Sequence, residues 1–179
     1  AAGSAARVAG AASKLPVGDP MLDATARAPM ARADLRDEVH DQVQRSIAAG
    51  ATLLLGGTLG QGGSHYPATI LDHVVPGMPA YREELFGPAA SILRAGDDDD
   101  AVRIANDTDF GLGASVWTRD KARGEAVARR LQAGATFVNA IVRSDVRLPF
   151  GGTKTSGFGR ELAEHGIHEF MNIKTVYVA

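Results

Sequence analysis

The 179-residue sequence contains no cysteine. That absence excludes disulfides, thiolate metal sites and any mechanism in which this chain supplies a sulfur nucleophile. Aromatic residues are scarce, at 6% with one tryptophan, and no apolar run approaches a membrane span; Ala51-Thr52-Leu53-Leu54-Leu55 is of strand length. Neither sign of charge dominates. A net charge of −2 gives no basic face of the kind that nucleic acid or an anionic bilayer selects, so neither is expected as a partner. The histidines, His40, His65, His73, His165 and His168, form no zinc-like cluster. Asp97-Asp98-Asp99-Asp100 lacks the interleaved Asp/Asn, Gly and distal Glu of a calcium loop and reads as acidic capping of a helix start. No metal is expected. An initial Met is also missing, and Ala1 to Ala12 is Ala-rich with one Arg, superficially like part of a targeting segment. No apolar h-region follows it, so a weak helix is the preferred reading.

What is present, 45% hydrophobic and 22% charged residues, suffices for one sizeable core and does not require two domains. Asp34 to Ala49 carries Leu35, Val39, Val43 and Ile47 at four-residue steps, an amphipathic helix that Gly50 stops. Ala51 to Leu55 reads as a strand, the stretch from Gly56 to His65 with its five glycines as an exposed loop, and Tyr66 to Val75 as β-favouring. A regular alternation follows: strand Ala90 to Leu93, helix Asp97 to Asn106, strand Ala114 to Thr118, helix Lys121 to Gln132 stopped by Gly134, and strand Thr136 to Asn139. Strands alternating with helices of this length predict βαβ units and a parallel sheet covered by helices on both faces. Trp117 is expected as a packed core or interface aromatic. The last segment, Asn172 to Val178, is strand-like and has no evident partner in the preceding sequence.

Three segments carry residues suited to chemistry. Glu83-Glu84-Leu85-Phe86-Gly87-Pro88 sets two carboxylates and an aromatic on a Gly-Pro turn before a strand, where α/β folds bind ligands. On spacing alone, a surface turn with one buried Phe is the simpler reading. Phe150 to Glu161 holds four glycines, yet no phosphate cradle: Thr153 intervenes before Lys154, and Gly157-Phe158-Gly159 lacks the third glycine of the dinucleotide fingerprint. A tight crossing of backbone against backbone explains the glycines without a ligand. Ala140 to Arg147 offers Arg143, Ser144 and Arg147, a set able to hold a carboxylate by a charge-assisted pair and a hydroxyl hydrogen bond, although on the residues alone a solvated loop with ordinary surface charges is the preferred reading.

In combination these segments are specific. Leu148-Pro149-Phe150-Gly151-Gly152-Thr153-Lys154-Thr155-Ser156-Gly157-Phe158-Gly159-Arg160-Glu161, read with Glu83 to Pro88 and Gly111-Leu112-Gly113-Ala114, strongly resembles the C-terminal part of the aldehyde dehydrogenase superfamily. The likeness runs from Val17-Gly18-Asp19-Pro20 to Lys174-Thr175-Val176; Ala1 to Leu15 departs from it, being mostly Ala, Gly and Ser where the family has a more apolar helix. The resemblance implies an α/β fold: a three-layer α/β/α catalytic domain with a mostly parallel sheet, incomplete over residues 1–170, then a C-terminal strand of the oligomerisation region over 171–179. It implies NAD or NADP as cofactor, an aldehyde substrate, a cytoplasmic setting and homo-oligomers. By position Glu84 inherits the contact with the ribose hydroxyls and Phe86 the packing near the nicotinamide ring. Ser144 and Arg143 inherit the substrate loop, and Phe150 the wall of the aldehyde pocket. The wording Ser-Asp-x-Arg-x-Pro-Phe-Gly-Gly resembles bacterial succinate-semialdehyde dehydrogenases.

In that family the thiolate, the glutamate that activates water and the oxyanion amide all precede the matched segment, as does the main dinucleotide-binding domain. No catalytic residue is therefore assigned to this chain. The resemblance implies that it is inactive alone and needs an N-terminal portion of the enzyme as partner, and that its incomplete sheet leaves apolar surface uncovered. The alternative is a non-catalytic module that keeps only the oligomerising edge of the fold, against which the intact Glu84, Phe86 and Ser144 speak.

Overall fold

A computed structural model describes residues 2–59 and 63–179, the side chain of Ala2 excepted; residues 60–62 of the expected glycine-rich loop lie outside the described residues. The chain forms two compact units, Ala1–Arg94 and Ala95–Ala179.

The first unit holds α1 (Ala2–Ala12), α2 (Ala33–Ala48), β1 (Thr52–Leu55), β2 (Thr69–Asp72), α3 (Pro79–Arg82) and β3 (Ala89–Ser91). Its core gathers Val39, Val43, Tyr66, Leu71, Val74 and Met78, with Leu85 and Leu93 packed at its margin. The buried face of α2 is Val39, Gln42, Val43 and Ser46. Four-residue steps overshoot a 3.6-residue turn, so a stripe written at 35, 39, 43 and 47 drifts off the contact line, and the i+3 positions complete it. Leu35 is accordingly only half-buried. At the helix end Gly50 adopts φ 109°, and Gly50 and Ala51 donate their N–H groups to the carbonyls of Ile47 and Ser46. That is the Schellman arrangement, which needs a residue free of the left-handed penalty.

β2 is the centre of a three-stranded sheet, with β1 antiparallel on one side and β3 parallel on the other. A mixed sheet of this kind fits the mostly parallel expectation: β1, which precedes the regular alternation, is its antiparallel member, and no helix lies between β1 and β2 among the described residues. All four residues of β2 are buried. Its last residue, Asp72, has a side chain only 5% exposed and pairs in bidentate fashion with Arg94, Nε to Oδ1 at 2.9 Å and Nη2 to Oδ2. The hydrogen bond from Arg94 holds the Asp72 carboxyl below its ordinary range, outweighing its burial. Since the unfolded chain keeps the higher pKa, this pair stabilises the fold fully above about pH 4, and stability falls as the pH drops through the lowered value. Thermal midpoints measured between pH 7 and 3 should fall at the acid end, with a shallower acid slope in Asp72→Asn; an unchanged slope would remove Asp72 from the account.

The second unit holds α4 (Asp98–Asn106), β4 (Phe110–Gly111), β5 (Gly113–Val116), α5 (Lys121–Ala128), β6 (Ala135–Val138), β7 (Thr153–Lys154) and α6 (Ala163–His168). β5 and β6 are parallel neighbours, Gly113 opposite Ala135 and Val116 opposite Val138, with α5 as the connecting helix. That is the expected βαβ unit. Asp97 caps α4 by accepting from the Asp100 N–H at 2.8 Å. The rest of the acidic run is held by arginines: Asp98 by Arg123, Asp99 by Arg130 and Asp100 by Arg103. Among the described residues no group of three or more His, Cys, Asp or Glu is placed to hold a metal ion.

α5 stops four residues before the expected Gln132. The Asn106 side chain donates to the Arg130 carbonyl at 2.9 Å and accepts from the Gln132 N–H at 2.8 Å, ending the helix from 24 and 26 residues away. Gly134 is consequently not a helix stop. It marks the place where β6 meets the glycine-rich segment: a Cβ there would collide with the Gly151 carbonyl oxygen. A Cβ on Gly151 would stand 2.6 Å from the Gly159 carbonyl, and one on Gly152 would stand 2.6 Å from the Ser156 carbonyl. Gly134, Gly151 and Gly152 therefore serve the close backbone approach expected of that segment, whereas Gly157 and Gly159 supply positive φ, 125° and 77°.

The same segment supplies β7, which pairs antiparallel with β4. Lys154 sits at φ 54° and its Nζ donates to the carbonyls of Asn106 at 2.7 Å and Thr108 at 2.9 Å, capping the C-terminal end of α4 with positive charge. Lys154→Met should lower the unfolding free energy by about 1 kcal/mol, measured by urea denaturation; no change would mean that solvent satisfies those carbonyls equally well.

Cover is thin in this unit. Trp117 is 65% exposed, and Ile141, Phe158, Phe170 and Ile173 are exposed as well. Trp117 is therefore not a core residue among the described residues: it follows the last residue of β5, Val116, and its side chain stands largely in the open. Residues 172–179 lie outside any helix or strand, and no helix among the described residues is long and apolar enough to cross a membrane.

Candidate cofactor turn and substrate cleft

In the first unit, the segment from Glu83 to Gly87 alternates between facing α2 and facing outward. Glu83 faces α2: Arg45 donates to both its carboxylate oxygens, at 3.2 and 3.1 Å, and Gln42 Nε2 donates to Oε2 at 3.0 Å. These bonds, that from Arg45 foremost, hold the Glu83 carboxyl below its usual range. Leu85 packs at the edge of the core. Gly87 lies so close to α2 that an added Cβ would stand 3.0 Å from the Val39 side chain. Between these anchors Glu84 and Phe86 face outward, Glu84 exposed and Phe86 71% exposed. The simple reading of a turn with one buried Phe is thereby corrected, since Leu85 occupies the inward position. A carboxylate has two acceptor oxygens, suited to a pair of vicinal hydroxyls, and a phenyl face beside it suits a flat ring.

In the second unit, a cleft of about 400 Å³ opens between β6 and the following loop, lined among others by Thr136, Phe137, Val138, Arg143, Leu148 and Phe150. Asn139, at φ 55°, turns the chain out of β6. Its side chain accepts from the Thr118 N–H at 2.9 Å and donates to the Thr118 carbonyl at 2.8 Å, tying this exit to the end of β5. Phe150 is fixed by paired backbone bonds with Glu161, at 2.9 and 2.8 Å. Arg143 and Phe150 thus come together on one cleft, whereas Ser144 is exposed and does not line it.

Arg147 is already engaged. It donates Nε to Asp145 Oδ1 at 2.9 Å and Nη2 to Oδ2 at 2.7 Å, and its own N–H reaches Oδ1 at 3.0 Å. Those bonds, with a smaller contribution from the nearby Arg143 charge, hold the Asp145 carboxyl far below its usual range. Asp145, which lines the cleft beside Arg143, is neutralised by Arg147, and Arg143 remains as the surplus cation of the loop.

The profile of the aldehyde dehydrogenase family matches residues 3–176. The chain belongs to the aldehyde dehydrogenase family. Within it, the chain is 50% identical over 172 residues to the succinate semialdehyde dehydrogenase [NAD(P)+] Sad of Escherichia coli, a match covering 96% of this chain and 37% of that protein. A probable succinate-semialdehyde dehydrogenase [NADP(+)] of Synechocystis is 46% identical over 174 residues, covering 97% of this chain and 38% of that protein. Among solved structures, succinic semialdehyde dehydrogenase from Streptococcus pyogenes, in complex with NADP+, superposes with a TM-score of 0.94 at 32% identity, over 99% of this chain and 39% of that one. This aldehyde dehydrogenase chain therefore spans well under half the length of the relatives it matches, and its two units are part of the family fold.

Sequence reasoning missed Gln42 and Arg45 as supports of the turn from Glu83 to Gly87 and Asp145 as the residue that occupies Arg147. Gln42 lies 41 residues from Glu83, and no local pattern encodes that contact. The Asp145 pairing is the exception, because Asp and Arg two positions apart on a loop are a readable signal.

Proposed function

We propose that this chain is the part of an NAD(P)-dependent succinate-semialdehyde dehydrogenase that closes over the nicotinamide end of the coenzyme and receives the substrate's carboxylate. What supports the reading is, within the first unit, an anchored turn with Glu84 and Phe86 turned outward and, within the second, a cleft lined by Arg143, whose loop neighbours Asp145 and Arg147 are paired with each other. The reaction takes an aldehyde, water and NAD(P)+ to the carboxylic acid, NAD(P)H and a proton, and the coenzyme would supply the hydride acceptor. Glu84 would accept hydrogen bonds from the ribose hydroxyls, and Phe86 would cover the ring and exclude water from the hydride path. Arg143 would pair with the carboxylate at the far end of the substrate, Ser144 of the same loop would donate a hydroxyl hydrogen bond to it, and Phe150 would wall the four-carbon chain. The thiol that attacks the aldehyde must come from outside this chain, which has no cysteine. Residues 1–170 would then be the incomplete catalytic domain, and 171–179 a strand that pairs with a neighbouring subunit in a cytoplasmic homo-oligomer.

In the chain complemented with the N-terminal portion of the fold, Arg143→Met should raise KM for succinate semialdehyde about tenfold, the effect of one charge-assisted pair. KM for butanal, which lacks the carboxylate, should be unchanged. Equal KM values for succinate semialdehyde in the two forms would remove Arg143 from the substrate site.

A further inference from the structure

We infer that Gln42 is a positioning residue for the coenzyme turn, acting from α2 through Glu83 and the Glu84 carbonyl. This rests on the proposed role of Glu84 and Phe86. Gln42 is polar yet only 6% exposed, on a helix face that otherwise packs Val39 and Val43 into the core. A buried amide is retained at a cost unless its hydrogen bonds are satisfied. Its Nε2 has two acceptors: the Glu83 carboxylate at 3.0 Å and the Glu84 backbone carbonyl at 3.2 Å. One amide group thus fixes two successive residues of the turn, a side chain and a main chain.

The carbonyl contact is the informative one. A bond to Glu83 alone would hold the turn against the helix while leaving the next peptide free to rotate. Fixing the Glu84 carbonyl sets that peptide plane, hence the direction in which the Glu84 side chain leaves the backbone and the start of the path to Phe86. Gly87, against Val39, fixes the other end. Arg45 holds Glu83 from the solvent side, with its Nε on Asp41 at 2.7 Å. Ser46, one turn along α2, donates to the Gln42 carbonyl at 2.7 Å and accepts from the Ala80 N–H at 2.9 Å, so the helix carrying Gln42 is itself tied to α3, which leads into the turn. A preorganised turn spares the coenzyme complex the cost of ordering it.

The test uses Gln42→Met, which keeps the length and loses both donors. In the 179-residue chain alone, amide hydrogen exchange should rise at least tenfold over residues 84–87 and stay unchanged in β1, β2 and the rest of α2. A rise shared by the whole first unit would make Gln42 a structural support only and overturn the inference. In the chain complemented with the N-terminal portion, KM for NAD(P)+ should rise about tenfold while KM for succinate semialdehyde holds, and adding Glu83→Gln to Gln42→Met should cost less than the two separate effects combined. Glu84→Gln and Phe86→Ala serve as the reference. If they raise the coenzyme KM and Gln42→Met does not, the positioning inference falls and the turn's role stands. If neither they nor Gln42→Met alters it, the turn's role falls and the inference with it. Should Gln42→Met fold poorly, Arg45→Met removes the exposed arm of the same Glu83 anchor and should give the same pattern at smaller amplitude.

Discussion

Gly134→Val should leave the second unit unfolded at room temperature, with a loss of about 3 kcal/mol or more. The site has no room to give. Gly134 donates its N–H to the Gly111 carbonyl at 2.9 Å, and its Cα faces backbone: a Cβ would overlap the Gly151 carbonyl oxygen and lie 3.2 Å from the Gly152 Cα. A flexible side chain moves aside cheaply, but moving Gly151 disturbs its own approach to the Gly159 carbonyl and the Gly152 approach to Ser156. The displacement therefore spreads through the segment that forms β7 and leads into α6. Gly10→Ala is the matched control with the opposite sign. Gly10 lies in α1 with nothing within 4 Å of an added Cβ, so alanine should raise stability by about 0.5 kcal/mol through helix propensity alone. Urea denaturation of the pair separates steric crowding from a general intolerance of glycine replacement; a soluble, cooperatively folded Gly134→Val would refute the crossing.

The second large effect concerns sulfur. Iodoacetamide treatment of this chain before mixing should leave the activity of the complemented enzyme intact, whereas the same treatment of the N-terminal portion should abolish it. The asymmetry follows from the absence of cysteine here and from the proposed reaction, which starts with thiolate attack on the aldehyde carbon. Few side chains could replace the thiolate in that role. A serine or lysine would need an adjacent base or a desolvated amine to act at neutral pH, and Ser144, the serine of the substrate loop, is exposed on the surface. Loss of activity on alkylating this chain would place an essential nucleophile in it and contradict the assignment of roles.

Local signals in the sequence carried well into the fold. Gly50, at φ 109°, Asp97 as a cap and the β5–α5–β6 alternation were readable because each depends on residues within a few positions. Contacts that close over long sequence separations were not. α5 ends early through the side chain of Asn106, β1 runs antiparallel because of a loop rather than a strand pattern, and the true contact face of α2 includes two polar residues that hydrophobic spacing passes over. At the site the outcome is similar. The motif located Glu84 and Phe86, but it did not tell the inward Glu83 from the outward Glu84; Gln42 and Arg45 do that from another element. In the loop from Ala140 to Arg147, Arg143 and Arg147 are indistinguishable by type and spacing until Asp145 is seen to hold one of them. The exposed Trp117 shows the same limit from the other side, since a tryptophan near a strand implies a cover that this chain does not itself provide.

The most direct measurement is aldehyde-dependent NAD(P)H formation with succinate semialdehyde, comparing this chain alone, the N-terminal portion alone and their mixture. Activity confined to the mixture, and lost when the mixture carries Glu84→Gln with Phe86→Ala, is the predicted result. Turnover by the 179-residue chain alone, or a mixture inactive although the two parts associate and fold, would contradict it.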